Sequence, residues 1–302
     1  AIMEREPEVG SPDEPRSISD VRGEIEFRDV SFRYPASQRN VLEGLSFTAR
    51  PGQTVALVGG TGSGKSTLVS LIPRLFDPTE GEIRLDGVPL PEYDVRQLRS
   101  RMGVVPQDAY LFSESIAANI ALGLSGVDAP RTGEPGQRET PVLERPGAAP
   151  VSDAPSNTLV PEPVVHAARV AQLDEAVRDF PRGYDTLLGE RGVNLSGGQK
   201  QRATLARAVA RDPVVLILDD ALSAVDTHTE AKILDDLRTV MEGRTTFIIS
   251  HRVTAVMDAD LILVLEDGRA VERGTHDELV AAGGTYATLL RRQMLEAEVG
   301  AD

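Results

Sequence analysis

The sequence contains no cysteine, which excludes disulfides and thiolate metal sites. It also lacks long apolar runs. The longest, residues 214–218 and 261–265, fall far short of the roughly 20 apolar residues that a membrane-spanning helix needs. Cationic residues are outnumbered: 32 Lys and Arg against 47 Asp and Glu leave a net charge of −15. A nucleic-acid partner, which calls for clustered cations, is therefore not expected, and the acidity reads as solubility. What is present is 302 residues with 40% hydrophobic content, enough for one large domain or two modest ones. The first residue is Ala1 rather than Met, so a piece of a longer chain is expected.

Residues 1–22 are acidic and interrupted by Pro7, Pro12 and Pro15, and read as a linker. From Gly23 the pattern alternates, with Ile25, Phe27, Val30 and Phe32 against charged neighbours, which predicts a half-buried strand. A second strand is expected over 41–49, ended by Pro51 and Gly52, and a third over 53–58. Residues 123–161 hold 7 Pro and 5 Gly and no aromatic residue, a composition that cannot bury enough surface to offset chain entropy. They are expected to form a disordered insertion. Helices are expected over 164–180, over 197–211 with Ser196 as N-cap, and over 286–297. Buried strands are expected over 214–218, 245–250 and 261–265, with a hairpin turn at Asp267 and Gly268. Strands alternating with helices imply a parallel sheet covered on both faces, an α/β fold.

The run Gly59, Gly60, Thr61, Gly62, Ser63, Gly64, Lys65, Ser66, Thr67 fits the P-loop pattern between a strand and a helix. Its glycines let successive amides point inward, the helix start adds positive potential, and Lys65 adds a full charge. These are the means of holding nucleotide phosphates. The Ser66 hydroxyl is suited to ligating Mg²⁺. Asp219 closes a buried strand, where a carboxylate faces the crevice at the strand ends and can hold the same ion.

With these residues the chain resembles the ABC ATPases. Leu195, Ser196, Gly197, Gly198 and Gln199 look like that family's signature motif, ahead of Asp219 as the family requires. The resemblance covers about residues 23–292 apart from the insertion. It implies a RecA-like P-loop core, an antiparallel β part at about 23–50 and a helical part at about 108–211, all within an ATP-binding domain of residues 23–302. ATP and Mg²⁺ are the implied ligands. Tyr34 resembles the aromatic residue that stacks on adenine, and Gln107 the glutamine that touches Mg²⁺ and the attacking water. His251 resembles the switch histidine at the γ-phosphate, and the 223–226 stretch, ending in Asp226, the D-loop at the dimer interface. Ser196 and its neighbours are implied to grip the nucleotide of a second ATPase domain. Glu190, Arg191 and Gly192 resemble a segment typical of exporters, where it meets the coupling helices of a membrane domain. A multidrug- or lipid-type exporter on the cytoplasmic face of the inner membrane is the implied setting.

One position departs from the pattern. Active members carry Glu after the strand-end Asp, and here Asp220 stands there. Its side chain is one methylene, about 1.5 Å, shorter, and a misplacement of about 1 Å can cost about 100-fold in rate. Slow hydrolysis at this chain's own site is expected. An intact signature beside a weakened site favours a heterodimer over a homodimer. Two other readings stay open: an ATP-gated structural module with negligible turnover, and a soluble ABC ATPase of DNA repair or translation. Those soluble enzymes carry coiled-coil insertions or paired ATPase domains, and the insertion here has no heptads.

Overall fold

The computed structural model describes residues 9–18, 20–35, 37–124, 160–189, 193–250 and 252–299. Glu190, Arg191, Gly192, His251, residues 1–8 and most of the insertion (125–159) lie outside the described residues.

The strands are β1 (Ile25–Phe32), β2 (Leu42–Ala49), β3 (Thr54–Gly59), β4 (Glu80–Leu85), β5 (Val88–Pro89), β6 (Met102–Val105), β7 (Val215–Asp219), β8 (Thr245–Ile249), β9 (Leu261–Glu266) and β10 (Arg269–Gly274). The helices are α1 (Lys65–Leu71), α2 (Val95–Ser100), α3 (Ile116–Ala121), α4 (Glu162–Val170), α5 (Asp174–Arg178), α6 (Gly197–Ala210), α7 (Thr227–Met241), α8 (His276–Ala282) and α9 (Thr285–Val299). They build two sheets.

The smaller sheet is antiparallel, in the order β2-β1-β4-β5. In β1, Ile25 and Phe27 face inward, then the register shifts before Val30. Asp29 has φ 50 there. This bulge absorbs one residue and returns Val30 and Phe32 to the buried side, so the strand keeps one apolar face. The antiparallel part thus reaches beyond the expected 23–50: β4 and β5 come from residues 80–89. β4 pairs with β1, and β5 with β4, only after β3 and α1 in chain order, and no local pattern announces that return.

The larger sheet runs β10-β9-β3-β8-β7-β6. Pairs from β9 to β6 are parallel, and β10 closes one edge as the antiparallel arm of the expected hairpin. Its central strands are buried on both faces, which explains their unbroken apolar runs. Alternate residues feed two cores. Val55, Leu57, Ile217, Phe247 and Leu263 join the antiparallel sheet and α1. Ala56, Val58, Leu216, Ile248 and Ile262 join α4, α6 and α7 on the other face. Each fully buried Leu, Ile or Phe contributes about 1.5–3 kcal/mol.

The helix expected over 164–180 is two. α4 ends, Gln172 takes φ 51, and α5 starts at Asp174. The break is held from outside: the Gln172 amide donates to Asp236 Oδ2 at 2.6 Å, and its carbonyl accepts from Arg202. Apolar spacing continues across both helices, so periodicity does not register the turn.

Part of the stretch read as a linker lies against the body. Arg74 donates to the Gly10 carbonyl at 3.2 Å, and Ser11 Oγ accepts the Val95 amide at 3.0 Å while donating to Asp94 at 2.9 Å. Arg16 N–H donates to the Glu92 carbonyl, and Ile18 is buried in the core shared with the antiparallel sheet and α1.

Candidate functional site

β3, β6, β7 and β8 are parallel neighbours, so their C-terminal ends share one edge. The turn after β3 begins at Gly59 with φ 150, where a Cβ would stand 2.2 Å from the Leu265 carbonyl oxygen. It ends at Gly64 with φ 101, where a Cβ would meet Leu42 at 2.7 Å. Only glycine fits both places, and the backbone between them curls over the start of α1.

Lys65, the first residue of α1, is 6% exposed. Its ammonium donates to the Gly59 carbonyl at 2.9 Å, the Gly60 carbonyl at 2.8 Å and Ser63 Oγ at 3.4 Å. Burial holds its pKa below the ordinary lysine value, and the carboxylates of Asp219 and Asp220 oppose that shift. The next residue, Ser66, is exposed, and its hydroxyl donates to Asp219 Oδ1 at 3.0 Å across 153 residues of sequence.

Thr61, Gly62, Gly64, Lys65, Ser66, Thr67, Gln107, Asp219 and Asp220 line one cavity of about 220 Å³. Larger clefts lie elsewhere, about 440 Å³ beneath α7 and about 1050 Å³ between α4 and α7, but neither is bordered by a glycine-rich turn. The lysine, the hydroxyl and the paired carboxylates therefore converge in the smaller cavity. A hydroxyl and a carboxylate in contact are hard oxygen donors. They suit Mg²⁺, which takes few protein ligands and completes its octahedron with phosphate and water oxygens. Among the described residues no group of three His, Cys, Asp or Glu could hold a metal alone.

Asp220 follows β7 with φ 47. Its amide donates to the Ile249 carbonyl at 3.0 Å, and its carbonyl accepts from Ser223 at 3.2 Å. Asp is among the few non-glycine residues that enter this left-handed region readily. Tyr34 does not border the cavity. It packs edge-on against Phe32 and Phe76, with ring centroids at 4.9 and 5.3 Å, and its hydroxyl shares a 3.1 Å hydrogen bond with Thr67.

The Ser196 group stands apart. None of Ser196, Gly197, Gly198, Gln199 and Asp226 lines the cavity. Ser196 caps α6 with a full capping box: its hydroxyl accepts the Gln199 amide at 3.2 Å, and the Gln199 side chain accepts the Ser196 amide at 2.9 Å. A Cβ on Gly198 would meet the Ala224 carbonyl at 2.8 Å, so α6 lies directly on the 223–226 turn. Gln201, not singled out from sequence, joins the two. Its side chain donates to Ser223 Oγ at 2.9 Å and accepts the Ala224 amide at 2.8 Å. Gln201 is 5% exposed, and no local pattern in the sequence marked it, since its partners lie more than 20 residues away along the chain. Asp226 accepts the Thr229 amide at 2.9 Å and caps α7.

A sequence profile described as ABC transporter matches residues 42–223. Over 289 residues the chain is 46% identical to the ATP-dependent lipid A-core flippase of Alkalilimnicola ehrlichii, covering 94% of this chain and 44% of that protein. It is 43% identical over 285 residues to the ABC transporter ATP-binding protein YfiB of Bacillus subtilis, covering 94% and 44% respectively. Among solved structures it is similar to a bacterial Atm1-family ABC exporter with ATP bound, at TM-score 0.79 and 36% identity, over 97% of this chain and 45% of that one. The chain thus spans under half the length of these relatives.

Proposed function

The chain belongs to the ABC transporter ATP-binding family, and from that premise we propose that it binds MgATP in the cavity around Lys65 and hydrolyses it to drive export through a membrane domain. The observation that carries this reading is the Ser66–Asp219 contact beside the buried Lys65 ammonium, because it joins a phosphate cradle to a cation site. Residues 23–302 form the ATP-binding domain, and residues 1–22 link it to the membrane domain. The similarity to a lipid A-core flippase and to an Atm1-family exporter supports an exporter, acting at the cytoplasmic face of the membrane.

Each residue has a defined task. The amides of the 59–66 turn and Lys65 bind the outer phosphates. Ser66 and Asp219, with Gln107, hold Mg²⁺, which supplies charge neutralisation at the phosphates when bound. Tyr34 supports the adenine end, and its hydrogen bond to Thr67 ties that end to α1. Asp220 and His251 serve the attacking water and the γ-phosphate. Catalysis in such sites is mainly positioning and electrostatics. Because the Ser196 group lies outside the chain's own cavity, it acts on nucleotide held by a second ATPase domain. Asp220 favours a heterodimer in which this chain's own site is the slow one.

A second reading, an ATP clamp with negligible turnover, is favoured by Asp220 alone. One experiment separates the readings. The purified chain, given excess Mg²⁺ and ATP, is expected to release calorimetric heat and gain thermal stability, and absence of both removes the nucleotide site. If the chain forms a homodimer, Asp220→Glu is then expected to raise turnover by up to about 100-fold, at a modest cost in stability because Glu tolerates φ 47 less well than Asp. Unchanged turnover would support the clamp.

A further inference from the structure

The cavity at Lys65 and the exposed start of α6 are joined inside one chain by a short path. Asp219 and Asp220 line the cavity. Beyond Asp220 the chain folds into a tight turn: the Asp220 carbonyl accepts the Ser223 amide at 3.2 Å, and the Leu222 carbonyl accepts the Val225 amide at 3.0 Å. Ala221, Leu222 and Val225 are buried, so the turn is fixed from beneath, while Ser223 and Ala224 are exposed. α6 reaches those two residues. A Cβ on Gly197 would lie 3.5 Å from the Ala224 Cβ, and one on Gly198 would lie closer still to the Ala224 carbonyl. Further along α6, the buried Gln201 uses both ends of its amide on successive residues, donating to Ser223 Oγ and accepting the Ala224 amide. Ala221, Leu222 and Val225 also share a core with Leu195 and Ala203, but apolar contact is non-directional and tolerates sliding. Two hydrogen bonds to neighbouring residues do not: they fix both the position and the rotation of α6 against the turn.

We infer that Gln201 is a positioning residue that locks the start of α6 to the turn after Asp220, so that a ligand in the cavity orders residues 196–199 of the same chain. A ligand held at Ser66 and Asp219 fixes the end of β7, where those two side chains already touch. The turn follows directly from that strand end, and Gln201 carries the order across to the Ser196 cap. The exposed start of α6 is then held more firmly when the chain's own cavity is filled, and a second subunit meeting it reads that occupancy. The inference rests on the nucleotide-binding reading, and its test keeps the two apart.

Hydrogen–deuterium exchange of the full chain, with and without saturating MgADP, reads this coupling, and ADP avoids turnover. In the wild type, MgADP is expected to slow exchange of the amides over both 220–225 and 197–201, by about fivefold or more over the latter, the lower end of common coupling between sites. Gln201→Met keeps the length and apolar bulk of the side chain and removes both hydrogen bonds. It is expected to keep the slowing over 220–225 and to lose it over 197–201. Its ADP affinity by titration calorimetry is expected to stay within about twofold of wild type, because the locally opened form on which the coupling acts is a minor population. ADP binding without slowing over 197–201 in the wild type, slowing there retained in Gln201→Met, or loss of ADP binding by the folded variant would each overturn the inference. Failure of the wild type to bind ADP at all would remove the nucleotide site with it. Should Gln201→Met fail to fold, Ser223→Ala, at an exposed residue, decides alone: undiminished slowing over 197–201 would overturn the inference, and a reduced response supports it.

Discussion

Lys65 meets opposed demands. In the proposed nucleotide site its ammonium waits where phosphates arrive, yet the same turn buries it and lowers its pKa. Folding therefore disfavours the bound proton. That penalty is present in full below the lowered folded value and disappears as pH rises toward the ordinary lysine value, a window in which stability rises with pH. Lys65→Met removes the penalty together with the function. Differential scanning calorimetry without nucleotide is expected to give it a midpoint no lower than wild type, with ATP-dependent stabilisation lost. In the wild type, ATP affinity measured at rising alkaline pH is expected to fall as Lys65 discharges, starting below the ordinary lysine pKa. The pattern of glycines and lysine was plain in the sequence. The strand carbonyl that leaves no room for a side chain at Gly59 was not, because Leu265 is far away along the chain.

Among the elements, α6 carries more than its capped start. Arg207, three turns along, donates to the Asn119 carbonyl at 2.8 Å, to Asn119 Oδ1 at 3.0 Å and to the Tyr110 carbonyl at 3.0 Å. Its guanidinium also lies 5.8 Å from the centre of the Phe112 ring. Asn119 is fully buried and exchanges hydrogen bonds with Phe112 at both backbone atoms. One side chain thus ties the signature helix to α3 and to the segment running on from Gln107. Arg207→Ala is expected to cost about 2–3 kcal/mol, since it strips the hydrogen bonds of a charged donor from the fully buried Asn119. Urea unfolding measures this, and because none of these atoms borders the cavity at Lys65, ATP affinity of the folded protein should hold. The sequence announced α6 through its cap and periodicity. It concealed the break at Gln172, whose left-handed turn depends on Asp236 and Arg202 from other helices.

Across the whole molecule, one separation matters most. The Ser196 group and the cavity at Lys65 do not meet within one chain. Ser196→Arg is therefore expected to leave ATP binding to the same molecule intact, read by calorimetry, while abolishing hydrolysis in the assembled pair. Weakened binding in the isolated variant would show that the signature serves its own chain. The amino-acid sequence by itself determined the family and most of the strands, since apolar periodicity, glycine-rich turns and helix caps act over a few residues and leave local marks. Only the tertiary structure decided what depends on distant contacts. It returned residues 80–85 to pair with β1, laid residues 10–18 on the body, set Ser66 against Asp219, and turned α6 onto the 223–226 stretch rather than toward the glycine-rich turn. Those choices follow from the register of parallel strands and the closing of two cores on one sheet, which no short stretch of sequence contains.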